Sequence, residues 1–232
     1  MHHYSLEDRF FGVYRGVIVD SEDPEGYGRV RVKVPQVTGE SVTDWAWPIG
    51  GNISQLKYPY GTFITTSSQS ISQNSATVVS SWQEEDTNRS YLDGTKLYVQ
   101  ETGDYFFQFS AVFAKTNASA GEADIWIRKN GTDVPNSNTT IHLSGSNAEV
   151  TVTVGFVLDL DAGDYLELVA STPSTNVQLV YHSAGSTPTR PAVPGVIATI
   201  NLIGKFKPQP DTGVWVMYEG GDPNFPLWIG VF

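Results

Sequence analysis

Three carboxylates crowd the segment Asp159-Leu-Asp161-Ala-Gly-Asp164. Calcium takes several hard oxygens from a tight turn, and this spacing could supply three of them. The EF-hand order is not met, because glycine rather than an acidic or amide residue stands in the fifth place. A Gly-Asp hairpin turn accounts for the same residues, so no metal ligand is assigned. Glu84-Glu85-Asp86 offers paired carboxylates of the kind that hydrolyse glycosides. In a strand-rich chain such a run is ordinarily a solvated loop. The four histidines are His2, His3, His142 and His182. A Ser–His–Asp hydrolase also needs an elbow such as G-x-S-x-G, and the chain has none. His2 and His3 fall in an expected flexible tail; His142 and His182 fall in strand-like contexts that suit packing or edge exposure. Gly26-Tyr27-Gly28 begins like a dinucleotide fingerprint but opens a strand, not a helix. The expectation is therefore no enzyme, no catalytic residue, no cofactor and no metal.

The one basic motif is Arg29, Arg31 and Lys33, on a single face of a strand with strict period two. A small barrel can bind single-stranded nucleic acid with such a stripe and stacking aromatics, here Tyr27 and Trp45. The charge balance opposes this. The chain carries 14 basic and 25 acidic residues, a net charge of −11. A negative surface field repels phosphates. The stripe reads instead as a solvated strand face or a protein contact, and no nucleic-acid partner is expected.

The elements that must position these residues are strands. Of 232 residues, 40% are hydrophobic and only 17% charged, with 22 glycines and 13 prolines. That punctuation favours short strands and many turns over helices. The absence of cysteine excludes disulfides, thiolate nucleophiles and Cys-ligated metals. No apolar run approaches the roughly 18 residues that span a membrane, and no hydrophobic leader opens the chain. Strands are expected over 11–20, 28–34 and 44–48, then 95–99, 103–114, 123–128, 148–158, 164–170, 177–182 and 196–203, and finally 213–218 and 227–231. Asp23–Gly28, Asn130-Gly131, Asp161–Asp164 and Glu219–Pro223 are turn signals, and 183–194 reads as a surface connector. Between about residue 56 and residue 203 the texture turns rich in Ser, Thr and Asn. After Gly204 the opening texture returns. The simplest organisation is one small domain, 1–54 and 204–232, split by an insert, 55–203. The outer pieces hold 7 basic against 11 acidic residues, net −4, so the barrel is acidic in its own right.

The outer pieces resemble the OB-fold domain of the baseplate hub, or central spike, of contractile-tailed phages, a domain shared with type VI secretion spikes. The carriers are Phe11-Gly-Val-Tyr-Arg-Gly-Val-Ile-Val-Asp20, Asp23-Pro24, Gly28-Arg29-Val-Arg31-Val32, Trp45-Ala46 and Pro48. The match resumes with Gly204-Lys-Phe206, Pro210, Gly213-Val-Trp215-Val216 and Tyr218-Glu219-Gly-Gly-Asp222-Pro223. The insert resembles the trimeric jelly roll of complement globular heads and tumour-necrosis-factor-like proteins. It does so through Gly103–Ser110, Ile125–Gly131, Leu160–Leu168 and Gly195–Asn201. Residues 55–80 match neither. The expected fold is thus all-β: a five-stranded OB-fold barrel interrupted by an inserted antiparallel β-sandwich of jelly-roll type.

The resemblance implies a structural virion protein, assembled in the host cytoplasm and resident in the tail baseplate. It would be a homotrimer on the tail axis that joins the tail tube to other hub and tip proteins. Residues Gly28, Arg29, Arg31, Trp45, Trp215, Glu219, Asp222 and Pro223 would be structural parts of the OB motif. The best-known relatives continue past the barrel into a lysozyme domain and a needle; this chain stops at Phe232, so a separate tip protein is expected to supply those functions. The alternative is a host-receptor or glycan-binding module acting through jelly-roll loops, with Asn130, Gly131, Asn136, Asn138 and Arg190 as first candidates. Of Phe106, Phe107 and Phe109, at least one is expected to face outward, where a trimer contact would use it.

Overall fold

The computed structural model describes residues 9–25, 27–49, 59–117, 120–145 and 148–232, without the side chains of 205–207. His2, His3, Gly26 and the expected boundary at 54–55 lie outside the described residues. The chain is all-β, with one helical turn at Pro35–Thr38 and a 3₁₀ turn at Glu219–Gly221. No helix among the described residues is long and apolar enough to cross a membrane. Two compact units form. One takes 1–58, 101–103 and 204–232; the other takes 59–100 and 104–203.

In the first unit, β1 (Tyr14–Asp20) pairs with β2 (Arg31–Lys33) on one side. On the other side it pairs with the strand Gly213–Tyr218, in the register Tyr14↔Val216 and Gly16↔Val214. Gly213–Tyr218 pairs in turn with Pro226–Val231, which runs parallel to β3 (Trp47–Pro48). The sheet then closes on itself. Val30 and Ala46 exchange N–H···O bonds of 3.2 and 2.8 Å, and the Thr43 amide donates to the Val32 carbonyl at 2.8 Å. Five strands in this order, with one parallel pair, make the small closed barrel of the OB architecture. Period-two alternation turns Val30, Val32 and Val34 inward against Ile18, Ala46, Val214, Val216, Tyr218 and Trp228.

One polar atom sits badly in that core. Tyr218 is 3% exposed, and its hydroxyl has no hydrogen-bond partner among the described residues. Burial pushes the phenol well above its usual range, so it stays neutral. An unsatisfied buried hydroxyl costs stability. Tyr218→Phe should therefore leave the unfolding free energy from urea titration unchanged or raise it, by up to about 1 kcal/mol; a loss would show that the hydroxyl is satisfied.

The second unit is two sheets. In the first, Thr102–Lys115 lies between Val177–Leu179 and Val196–Lys207, followed outward by Tyr60–Thr65 and Trp82–Asn88. In the second, Gly121–Lys129 and Tyr165–Ser171 are central, paired antiparallel from Asp124↔Ser171 to Lys129↔Leu166. Tyr105, Phe107, Phe109 and Phe113 of the first sheet and Ile125, Ile127, Leu166 and Leu168 of the second are buried. Alternation along Thr102–Lys115 is intact: Phe107 and Phe109 face the core, and Phe106 alone of the three turns to the other face. There its ring fills space that a Cβ on Gly155 would occupy, at 2.8 Å.

The segment without a family resemblance supplies real elements. Tyr60–Thr65 is an interior strand, paired Ile64↔Ile197 and Tyr60↔Asn201. Trp82–Asn88 and Thr139–Leu143 are also strands outside the expected set. The connector 183–194 folds back as a hairpin, Gly185–Ser186 against Thr189–Arg190.

Candidate functional site

The barrel residues with chemical potential gather around Arg29. Asp23 opens the turn between β1 and β2, and its carboxylate organises that turn. It accepts the backbone N–H groups of Glu25 (3.1 Å), Tyr27 (2.8 Å) and Arg29 (3.2 Å), and the guanidinium of Arg29 at 2.6 and 3.1 Å. Glu25 adds a second, more exposed contact to Arg29 at 3.2 Å. The Asp23 side chain is only 4% exposed. The Arg29 guanidinium, helped by those amides, holds the Asp23 carboxyl far below the usual carboxylate range. The same pairing raises the Arg29 pKa.

Three rings enclose the guanidinium, Trp47 at 5.1 Å, Tyr27 at 5.6 Å and Trp45 at 5.7 Å. Tyr27 stacks on Trp47 at 5.5 Å. Arg29 is therefore not part of a solvated basic face, as the stripe suggested; it is a buried, charge-compensated floor. Arg31 lies over Trp45 at 6.0 Å and donates to the Thr43 carbonyl, and Lys33 pairs with Glu40. Arg29 and Lys33 are thus paired with carboxylates, whereas Arg31 is held by a carbonyl and a ring. Gly28 belongs to the same assembly: its carbonyl accepts the Trp228 indole N–H at 3.1 Å.

The second turn bordering this cluster is Glu219–Phe225. Gly220 and Gly221 both take left-handed backbone, and a Cβ on Gly221 would stand 3.1 Å from the Phe10 amide nitrogen. Asp222 accepts the Asn224 backbone N–H at 3.0 Å, and Pro223 is buried. Between the two turns lies a groove of about 280 Å³ lined by Arg29, Asp44, Trp45, Trp47, Glu219 and Phe225, among others. A neighbouring hollow of about 490 Å³ shares Asp44, Asn224 and Phe225 with it. Trp215 sits elsewhere on the barrel, between Phe232 (4.9 Å) and Arg15 (5.3 Å).

The candidate loop residues of the second unit are mostly used internally. Asn130 and Gly131 form a two-residue turn with φ of 50° and 79°. The Asn130 amide donates to Asp164 at 2.6 Å, and its carbonyl oxygen accepts the Tyr165 N–H at 3.0 Å. Asn138 donates to Asp124 at 3.2 Å. Asn136 is exposed with φ of 62°, and Arg190 lies on the exposed hairpin. The acidic turn 159–164 is closed by protein groups: Lys129 reaches Asp164 at 2.7 Å and the Asp161 N–H donates to it at 2.8 Å. Burial pushes the Asp164 carboxyl up, but Lys129 and Asn130 outweigh it and the net shift is downward. His142 faces Glu122, His182 faces Glu149, and Asp86 accepts from the Tyr60 hydroxyl.

Residues 14–52 match the type VI secretion system/phage-baseplate injector OB domain. This stretch contains β1, β2, β3, Asp23, Arg29 and both tryptophans of the cluster. The chain is similar to crystal structures of murine APRIL at pH 8.5, 5.0 and 8.0, with 16%, 15% and 14% identity. Each covers 63% of this chain and 100% of its own, at a TM-score of 0.41. No curated protein matches the chain. Sequence reasoning named Arg29 and Trp45 but missed Trp47 and Phe225. The Trp-Ala-Trp alternation was the available signal, since it puts both indoles on the face opposite the core residue Ala46.

Proposed function

We propose that the protein is a non-catalytic, homotrimeric component of a phage tail baseplate, with its barrel at the hub and contacts to tail-tube and tip proteins. The baseplate OB match over 14–52, in a barrel whose five strands close in OB order, carries this reading. The structural character of the matched baseplate domain is what favours a non-catalytic role.

The trimer draws support from the outward face of the second unit. Ile197 and Ile203 alternate with the core residues Ala198, Ile200 and Leu202 on one strand, and remain 39% and 57% exposed. Val157 is 58% exposed on the strand Glu149–Leu160. Such side chains on a sheet face suit an association surface where they form one patch. Light scattering across several concentrations should give about three times 25.4 kDa. Ile197→Lys with Ile203→Lys should return the particle to one chain mass without loss of strand signal in circular dichroism. A wild-type protein that stays at one chain mass removes the homotrimer. In assembled particles, antibody to the chain should label the distal end of the tail; labelling elsewhere removes the hub position.

A further inference from the structure

We infer that the groove between the Asp23–Arg29 and Glu219–Phe225 turns is a docking site for an extended arginine- or lysine-bearing segment of a neighbouring tail protein. This deepens the tail reading and rests on it only for the partner being a protein.

Charge selects the class of occupant. Asp44 and Glu219 line the groove, and neither has an ion pair to a described residue. One Asp44 oxygen accepts the Trp45 backbone N–H at 2.7 Å, which leaves the carboxylate charge in place. The one cation in the lining, Arg29, is already compensated by Asp23 and Glu25. The groove is therefore negative, in a barrel that is itself acidic. A carboxylate-rich groove repels phosphate and sulfate, gives a neutral ligand no charge term, and attracts a cation.

The rings point the same way. Trp47 and Phe225, both in the groove lining, remain 46% and 48% exposed, although Tyr27 stacks on Trp47 and Arg29 lies over its ring. Exposed indole and phenyl rings beside carboxylates form a site for a guanidinium or ammonium group through cation–π contact. The barrel already makes this contact once, with its own Arg29. Tyr, Trp and Phe are also the residues enriched at protein interfaces. Continuity with the adjoining hollow, through Asp44 and Phe225, gives the groove the length for an extended chain rather than a lone side chain.

The test titrates the full-length protein with an acetylated Gly-Arg-Gly-Arg-Gly amide and with its citrulline twin, in about 150 mM salt to screen the general acidic surface. Calorimetry gives the affinities, and the Trp45 and Trp47 indole N–H resonances report the place. The arginine peptide should bind one per chain, about tenfold tighter than the citrulline twin. Trp47→Ala, and separately Asp44→Asn with Glu219→Gln, should each weaken it by about the same factor. Phe225→Ala is the second apolar variant, should Trp47→Ala disturb the barrel in circular dichroism. Equal binding by the citrulline twin, binding indifferent to all three variants, or no saturable binding overturns the proposal. So does a glycan-array signal that Trp47→Ala abolishes, which would give the groove to a saccharide. Light scattering and tail labelling read the assembly and not this groove, so either reading can fail without the other.

Discussion

Asp23→Ala should destabilise the barrel unit by roughly 3 kcal/mol, more than any other single side-chain truncation at its surface. Five hydrogen bonds converge on this carboxylate, three from the turn's own amides and two from Arg29. Removing it frees the turn and strands a guanidinium whose side chain is 10% exposed. Glu25 would remain beside Arg29, but its side chain is 59% exposed, and such pairs contribute little. Chemical denaturation followed by tryptophan fluorescence reads this directly, because Trp45 and Trp47 border the same guanidinium. The pH dependence has a fixed sign. The folded Asp23 carboxyl titrates below its unfolded value of about 3.9. Its contribution is therefore fully present above that value and is lost as pH falls toward the folded one. The gap between wild type and Asp23→Asn should be widest at neutral pH and narrow steadily below about pH 4. A gap that widens in acid would mean that the Asp23–Arg29 pair is not the source.

What the sequence made legible, and what it hid, follows from the range of the interactions. The barrel's core face was legible because Val30, Val32 and Val34 alternate with charged residues, and alternation is a local property. The Glu219–Asp222 turn was legible because adjacent glycines tolerate left-handed backbone. The burial of Arg29 and its pairing with Asp23 were not. Alternation sets Arg29 opposite the valines, but the compensating Asp23 comes from a turn that folds back over it, and the enclosing Trp47 comes from another strand. Tyr60–Thr65 was missed because a strand of Tyr, Gly, Thr, Phe, Ile and Thr has weak local contrast; its partners lie 17 or more positions away in Trp82–Asn88 and farther still in Val196–Lys207. The Asn130-Gly131 turn shows the converse. The dipeptide was recognised, but Asn130's bonds to Asp164 and Tyr165 make it a brace between strands rather than a free loop tip.

Phe107→Ala should be the most damaging substitution in the second unit, and comparison with its neighbour separates the causes. Phe107 is fully buried, as are Phe109 and Tyr105 on the same face of the strand. Deleting a ring there loses both its transfer free energy and the packing around it, because the surrounding sheets collapse only in part. The expected cost is about 4 kcal/mol, which for a protein of this size lowers the melting temperature by roughly 10 °C. Phe106, one position earlier, is half-buried on the other face, with its ring over Gly155. Phe106→Ala should cost about 1 kcal/mol, the share of a ring only partly withdrawn from water. Thermal denaturation of the two variants side by side gives the ratio. Similar losses would mean that the strand's alternation is broken at this point and that both rings share one environment. A loss confined to Phe107 ties the unit's stability to the inward face. It leaves the outward one, with Ile197 and Ile203, available for association without a cost to the fold.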